Sequence, residues 1–269
     1  MNNLFEISHR VAVITGILGK LGFVWAEVLL ENGANVFGID QVDAVESSEF
    51  QELIAKYGKE RFIVFRGDVT NKADVDDALT KCKSYFGVPS ILVNNAGIDQ
   101  PPDSIKSYKL EEIPAEMFLK TINVNLYGTF LVSQIFGGEM EHCGRGSIIN
   151  IGSLYAGVSP DMNFYNHIDT DPPFIKPPAY GASKAGIINL TKYFSTHWGN
   201  RGIRVNALSP GGVLGGQDEA FKNKFCARVP LGRLAMVEDL KGPLLFLASD
   251  ASSYVTGIEL MVDGGFTAW

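Results

Sequence analysis

Short apolar segments alternate with longer helical patterns along almost the whole chain. The β-branched and apolar runs predict strands at 11–15, 35–39, 61–65, 90–93, 147–151, 203–207 and 258–262. Helical periodicity predicts helices at about 20–31, 47–57, 71–86, 113–141, 180–199 and 236–249. Apolar strands that alternate with helices indicate a parallel sheet covered on both faces. The expected fold class is therefore α/β, a Rossmann-type doubly wound sheet of about seven parallel strands.

Length and composition indicate one soluble domain. The 269 residues contain no repeat or linker that would divide them, so residues 1–269 are expected to form a single domain. The net charge of −7 argues against nucleic acid or an anionic membrane surface as a partner. No segment reaches the ~20 continuous apolar residues of a membrane span, and residues 1–10 do not have the pattern of a signal peptide.

The cysteines and histidines indicate the compartment and exclude some chemistry. Cys82, Cys143 and Cys226 are scattered, which suits a reducing cytoplasm and not a disulfide framework. The four histidines lack the spacing of metal ligands. We therefore expect a cytoplasmic protein without a metal site.

A glycine-rich turn follows the first predicted strand and opens the first predicted helix. It runs from Gly16 through Gly19 and Lys20 to Gly22. Glycines at such a turn let the backbone approach a pyrophosphate, which the helix N-terminus attracts. The second strand ends in Asp40, where a carboxylate can hold ribose hydroxyls and would repel a 2′-phosphate. NAD is therefore favoured over NADP, and a simple cap of the strand is the alternative for Asp40.

Two further strand ends carry polar residues. Asp68 and Val69 follow the third strand, where Asp68 could face an adenine or serve as the N-cap of the next helix. The fourth strand runs into the segment 94–97, which contains Asn95, Ala96 and Gly97. Small and amide residues allow close passage of a cofactor, although an ordinary turn is the alternative.

Tyr180 and Lys184 form the strongest catalytic candidate. They stand one helical turn apart, and Tyr180 is the only tyrosine with a lysine four positions later. A phenol with a pKa near ~10 is a poor base at neutral pH, but a nearby ammonium favours the phenolate. We therefore expect Lys184 to lower the pKa of Tyr180, and a chance surface pair is the alternative.

These motifs occur in one order along the chain, together with Asn125, Ser153 and the segment 209–211. In this order they resemble the short-chain dehydrogenase/reductase family over nearly the whole chain. The resemblance implies that Tyr180 is the general acid/base, that Lys184 lowers its pKa and binds the nicotinamide ribose, and that Ser153 holds the reacting oxygen. It implies that Asn125 holds a water that relays protons to Lys184.

The resemblance also implies a set of cofactor-binding residues. They are Gly16, Leu18, Gly19, Lys20, Leu21, Gly22, Asp40, Asp68, Val69, Asn95, Ala96, Gly97, Tyr180, Lys184, Pro210, Gly211 and Val213. Two positions depart from the family pattern. Lys20 stands where the middle glycine of the turn is usual, which weakens the preference for NAD, and Gly215 stands where a threonine is often found.

A third departure is an insert, residues 154–178, between Ser153 and Tyr180. Its prolines predict an ordered irregular loop. Its polar and aromatic residues could form one wall of a substrate pocket and bind a sugar-like ligand: Tyr155, Phe164, Tyr165, His167, Asp169 and Asp171. The alternative is a surface or subunit-contact loop.

The leading functional hypothesis is an NAD(P)-dependent oxidoreductase that interconverts a secondary alcohol and a ketone, on a small-molecule substrate such as a sugar. A nucleotide-sugar epimerase or dehydratase and a non-catalytic dinucleotide-binding module are the alternatives. The helix at 180–199 carries apolar residues on more than one face. Together with the family resemblance, this predicts a homo-oligomer, most simply a tetramer.

Overall fold

The computed structural model describes residues 3–99 and 107–269 as a three-layer α/β structure. The first half contains β1 (Val11–Thr15), α1 (Lys20–Glu31), β2 (Asn35–Asp40), α2 (Ser48–Tyr57), β3 (Phe62–Arg66), α3 (Lys72–Phe86) and β4 (Ile91–Asn94). The second half contains α4 (Ala115–Ile122), α5 (Thr129–Cys143), β5 (Gly146–Ile151), α6 (Pro178–Trp198), β6 (Ile203–Pro210), α7 (Glu219–Cys226), α8 (Glu238–Ala248) and β7 (Glu259–Val262).

The seven strands form one parallel sheet in the order β3-β2-β1-β4-β5-β6-β7. The order reverses beside β1, so the chain winds outward in both directions from the centre of the sheet. Ligands of doubly wound folds bind at such a switch point, beyond the carboxyl ends of the strands. The predicted fold class and the predicted strands are confirmed.

Two apolar cores hold the helices against the sheet. On one face, Trp25 of α1 and Leu244 of α8 are fully buried against the strands. On the other face, Phe136 of α5 and Trp198 of α6 occupy the second core. Both faces of the strands are therefore covered, which is why these strands are mostly apolar.

The predicted helix at 113–141 is interrupted. Its centre, Asn123–Gly128, is a π-helical segment between α4 and α5. The side chain of Asn125 is fully buried there and makes three hydrogen bonds outside its own helix. An asparagine that competes for backbone groups favours a local departure from the α-helix, and π-helical turns are frequent at functional sites.

A third apolar cluster lies away from the two cores and is called the cap cluster below. It joins the insert to α7 and to the segments after β6 and β7: Leu154, Phe164, Tyr165, Phe174, Phe225, Val229, Leu234 and Phe266. The insert contains only two short 3₁₀ turns, Leu154–Ala156 and Met162–Phe164. It is an irregular segment held by aromatic packing.

Candidate active site

A long cleft runs along the carboxyl edge of the sheet. Its walls are the turns and loops after β1, β2, β3, β4, β5 and β6. Fifteen of the predicted cofactor-binding residues line it: Gly16, Leu18, Gly19, Lys20, Leu21, Asp40, Val69, Asn95, Ala96, Gly97, Tyr180, Lys184, Pro210, Gly211 and Val213. The parallel strands bring these residues together because all strand ends meet at one edge.

The glycine-rich turn leaves an open helix N-terminus at the cleft. Gly16 has φ +64°, and a Cβ there would lie 2.8 Å from Cα of Ala96, so only glycine fits. The N-cap of α1 is Gly19, which provides no side-chain cap. Backbone N–H groups without a side-chain cap, at the positive end of the helix dipole, fit a diphosphate. The cleft therefore fits a nicotinamide dinucleotide.

Asp40 lies at the end of β2, on the wall of the cleft. Its carboxylate accepts hydrogen bonds from the backbone N–H of Leu18 at 2.7 Å and of Gln41 at 2.8 Å. These bonds fix the carboxylate where the turn after β1 meets the end of β2. The side chain is only half-buried, so it can still accept a further hydrogen bond from a ligand.

Gly22 and Asp68 do not line the cleft. A Cβ on Gly22 would lie 2.2 Å from the carbonyl oxygen of Gly16, so Gly22 permits the tight packing of the turn on its helix. The Asp68 carboxylate accepts hydrogen bonds of 2.8 Å from both the backbone and the hydroxyl of Thr70. The N-cap of α3 is Asn71, so the alternative of a helix cap at Asp68 is wrong.

Asn95, in the loop after β4, stabilises the glycine-rich turn after β1. Its amide nitrogen donates to the carbonyl oxygens of Thr15 and Gly16, and its amide oxygen accepts from the indole of Trp25 at 2.9 Å. These bonds hold the turn after β1 against the loop after β4. The neighbouring Ala96 and Gly97 bring the backbone close to the cleft.

Ser153, Tyr180 and Lys184 converge at one end of the cleft. Ser153 follows β5 and lines the same end of the cleft as Tyr180. The Lys184 ammonium lies 5.6 Å from the centre of the Tyr180 ring and donates a hydrogen bond of 2.7 Å to the carbonyl oxygen of Ile151. The end of β5 and the first turns of α6 thus bring a hydroxyl, a phenol and an ammonium together.

Asn125 reaches the same end from the π-helical segment. Its amide oxygen accepts from the N–H of Ile98 at 2.8 Å, and its amide nitrogen donates to Ile98 O at 3.1 Å and to Ser183 Oγ at 3.0 Å. The paired bonds to Ile98 fix the loop after β4. Ser183 is the residue before Lys184, so Asn125 also fixes α6 beside the lysine.

Burial controls the two titratable groups of this site. It raises the pKa of Tyr180, and the charge of Asp99 acts in the same direction, while the hydrogen bond with Ser153 opposes them. Burial lowers the pKa of Lys184 to about 8. The net shift of the Tyr180 pKa in the protein by itself is therefore upward, opposite to the expected lowering, because desolvation of the phenolate dominates.

A second cavity adjoins the cleft at Ser153 and Tyr180. Its walls combine the insert, the loop after β6 and α7: Asp99, Ser153, Leu154, Tyr155, Tyr165, Ile168, Lys176, Tyr180, Gly211, Gly212, Gly216, Gln217, Asp218, Phe221 and Phe225. The side chains of Tyr155 and Tyr165 both line it. Below, this cavity is called the substrate pocket.

Three charged residues of the substrate pocket were not predicted, Asp99, Lys176 and Asp218, and the first two form an ion pair. Lys176 is buried and its ammonium donates to the Asp99 carboxylate at 2.5 Å. The same ammonium lies 5.6 Å from the Tyr180 ring centre. Neither Asp99 nor Lys176 belongs to a motif, and they are 77 positions apart. Only the proline-rich setting of Lys176 could have drawn attention to it.

Four residues that were expected to serve the pocket lie outside its lining, and one of them, Phe164, is buried in the cap cluster. His167 forms an ion pair at 3.0 Å with Asp218, the N-cap of α7, and does not itself line the pocket. Asp169 and Asp171 also lie outside its lining. Exposed polar residues of the insert face solvent because its aromatic residues occupy the cap cluster.

Two other searches concern the described ranges 3–99 and 107–269. They contain no helix that is both long and apolar enough to cross a membrane. Within the same ranges, no three His, Cys, Asp or Glu side chains are grouped so that they could hold a metal ion.

The fold and the two joined cavities define a dinucleotide-dependent oxidoreductase. Two family models match the chain: short chain dehydrogenase over residues 10–167, and enoyl-(acyl carrier protein) reductase over residues 173–267. The chain belongs to the short-chain dehydrogenase/reductase family. It is an NAD(P)-dependent oxidoreductase that interconverts a secondary alcohol and a ketone.

Several relatives match over almost their full length. The chain is 32% identical to the NAD-dependent glycerol dehydrogenase of Listeria innocua, with 98% of this chain and 96% of the relative covered. It is 33% identical to the 2-dehydro-3-deoxy-D-gluconate 5-dehydrogenase of Bacillus subtilis, with 99% and 98% covered. A gluconate 5-dehydrogenase from Burkholderia cenocepacia, solved in complex with NADP and tartrate, superposes with a TM-score of 0.83 at 31% identity, with 99% and 98% covered.

Proposed function

We propose that the chain oxidises a secondary hydroxyl of a polyhydroxylated, sugar-like compound, or reduces the matching ketone, with NAD as cofactor. The observation that carries this proposal is the position of Tyr180. Its side chain lines both the cofactor cleft and the substrate pocket. A group that takes a hydroxyl proton must lie where substrate and cofactor meet.

We assign one role to each catalytic candidate. Tyr180 takes the proton from the substrate hydroxyl, or returns it to the ketone, and the Ser153 hydroxyl donates a hydrogen bond to the same oxygen. Lys184 stabilises the Tyr180 phenolate, and Asn125 holds α6 and the loop after β4 around it. A bound nicotinamide ring supplies or accepts the hydride.

The lining of the substrate pocket supports a polyhydroxylated substrate. Apolar walls are provided by Leu154, Ile168 and two phenylalanines, whereas the tips of Tyr155 and Lys176 offer hydrogen-bonding groups. Apolar walls with a few placed polar groups are typical of small-molecule sites. The relatives described above act on glycerol and on sugar acids, according to their names.

The carboxylate of Asp40 supports NAD as the cofactor. At ~4 Å it would repel a 2′-phosphate by roughly 1–4 kcal/mol, depending on the local dielectric. The relatives include an NAD-dependent enzyme and one solved with NADP, so family membership does not make this choice. A cytoplasmic location is supported by three unpaired cysteines.

A substrate screen tests the proposal. Purified protein with NAD⁺ or NADP⁺ is offered polyols, sugar acids and simple secondary alcohols, and reduction of the cofactor is followed by absorbance. We expect kcat/KM for the best polyhydroxylated substrate to exceed that of a simple secondary alcohol of equal size by at least about 10²-fold, since unpaired polar groups of the pocket would penalise the latter. Preference for the simple alcohol would contradict the proposal.

We also infer a homotetramer from an exposed apolar groove between the π-helical segment, α5 and α6. Tyr193 is 62% exposed, Tyr127 is 42% exposed and Phe130 is 36% exposed. Apolar surface of this kind marks an interface. Light scattering should give a tetramer, and Tyr193→Glu should lower the mass. Tyr85→Glu, at an equally exposed tyrosine of α3, should leave it unchanged. A monomeric unmodified protein would contradict the inference.

A further inference from the structure

Lys20 bridges two walls of the cofactor cleft. It is the first residue of α1, and its ammonium donates a hydrogen bond of 2.6 Å to the carbonyl oxygen of Leu214. Leu214 belongs to the loop after β6, and Val213 beside it lines the same cleft. The side chain therefore connects the glycine-rich turn to a loop that lies three strands away across the sheet.

Gly215 leaves the space that the Lys20 ammonium occupies. A Cβ at position 215 would lie 2.4 Å from Lys20 Nζ. The loop itself is fixed independently, since Gly215 N donates to Gln217 Oε1 at 2.7 Å and Leu214 N donates to Ala235 O at 2.8 Å. A side chain at 215 would thus displace the end of the lysine and leave the backbone in place.

The position of the ammonium matches a diphosphate and not a 2′-phosphate. Asp40 marks the ribose end of the cleft and lies on β2, whereas Leu214 follows β6, on the opposite side of β1. Lys20 also begins α1, whose N-terminus has no side-chain cap. Positive charge from the helix and from the lysine therefore meets at the glycine-rich turn. An ammonium has three protons, so Leu214 leaves two for another acceptor.

We propose that Lys20 binds the diphosphate of the dinucleotide and that Gly215 is its matched partner, required to make room for the ammonium. Lys20 and Gly215, the two positions that depart from the family pattern, are then explained together, because the glycine makes room for the lysine. Lys20 contributes equally to the binding of NAD and NADP, so it does not weaken the preference set by Asp40. The proposal concerns cofactor binding alone and holds whatever the substrate is.

Direct binding measurements on purified protein test this assignment. NADH, NADPH and ADP-ribose, which has the diphosphate but no nicotinamide, are titrated by calorimetry into the unmodified protein and into Lys20→Met. We expect about 10- to 100-fold weaker binding of all three ligands, the usual effect of losing a hydrogen bond to a charged group. Lys59→Met, at an exposed lysine outside the cleft, is the matched control and should bind as the unmodified protein does.

The three ligands separate the possible outcomes. A loss confined to NADPH would place Lys20 at the 2′-phosphate, and a loss for NADH without a loss for ADP-ribose would place it at the nicotinamide. Either result would overturn the assignment, as would unchanged binding of all three. Thermal melting of each variant shows that it is folded.

Gly215→Ala tests the pairing without removing the charge. We expect this variant to weaken ADP-ribose binding, because the added methyl displaces the ammonium. In a Lys20→Met background the same substitution should have no further effect, so the two changes are strongly non-additive. Additive losses would show that Gly215 acts independently of Lys20 and would overturn the pairing.

Discussion

The cofactor cleft and the substrate pocket are built in different ways. Most of the cleft lining lies at or directly after the ends of strands, so the register of the parallel sheet places it. The substrate pocket has fewer such residues, namely Asp99, Ser153, Gly211 and Gly212, and most of its lining comes from the insert, from α7 and from the segment just before α7. The first cavity follows from local sequence, whereas the second depends on contacts between distant segments.

The cap cluster makes the pocket wall rigid. The ring of Phe164 lies 5.4 Å from that of Phe225 and 6.3 Å from that of Phe266, measured between ring centres. Tyr165 similarly packs 5.2 Å from Phe174. Aromatic pairs at these distances add to the stabilisation that burial provides. An irregular segment therefore keeps one shape without regular backbone hydrogen bonds.

The largest effect is expected where the two cavities meet. Tyr180→Phe should lower kcat by roughly 10²–10⁴-fold, the usual contribution of general acid–base catalysis. NADH should still bind, because the ring and the cleft remain. Steady-state kinetics and a fluorescence titration measure the two quantities, and near-normal turnover would remove Tyr180 from the mechanism.

Replacement of the insert should affect one cavity and spare the other. With residues 161–174 replaced by a short Gly/Ser bridge, KM for the substrate should rise by about 10-fold or more, since the lining residues Tyr165 and Ile168 are lost. NADH affinity should stay within about threefold, because no residue of this range lines the cofactor cleft.

Point variants control for disruption of the cap cluster. Lys176 lies in the substrate pocket, outside the replaced range and outside the cap cluster. Lys176→Met should also raise KM for the substrate, and NADH should still bind. An intact KM together with dissociation of the oligomer would instead identify the insert as an assembly element. The proposed sugar-like substrate would then lose its main support.

A smaller effect is expected at the far end of the cleft. Asp40→Asn should improve binding of NADPH relative to NADH by about tenfold, because the repulsion of the 2′-phosphate is removed. Asp40→Glu keeps the charge and is the matched control. Fluorescence titration with both cofactors measures the ratio. Tighter binding of NADPH than of NADH to the unmodified protein would contradict the assignment of NAD.

The smallest effect concerns the stability cost of the buried Lys184. Its pKa is about 8 in the folded protein against 10.5 for an unperturbed lysine, so the folded protein releases the proton first as the pH rises. The cost of burying the ammonium is fully present below pH 8 and is relieved between these two values. The free energy of unfolding of the unmodified protein, minus that of Lys184→Met, should therefore rise by on the order of 1 kcal/mol per pH unit between these two pH values.

Urea unfolding of both proteins at several pH values between the two pKa values measures this slope. Titrating groups that do not interact with Lys184 contribute equally in both proteins, so their contributions cancel in the difference. A difference in unfolding free energy that does not change with pH would show that Lys184 is not desolvated in the folded protein.

Much of the fold was determined by local sequence. The strands were predicted to within a few residues. A strand that is covered on both faces is a short, mostly apolar and β-branched run, which differs clearly from the helical periodicity on either side of it. Gly16 was recognised as part of the turn, and the structure shows the reason in its positive φ and its contact with Ala96. Tyr180 and Lys184 were paired by helical spacing alone.

Tertiary structure decided the features that depend on distant residues. The helix α7 was not predicted, and it is stabilised by the aromatic rings of the insert and of Phe266. The ion pair of Lys176 with Asp99 joins two segments that share no pattern. Helical spacing predicted a lowered pKa for Tyr180, whereas the structure raises it. The spacing identifies a nearby charge in the sequence, but it does not indicate that the phenol is buried away from water. Local periodicity determines which elements form, and long-range packing determines which polar groups are buried together.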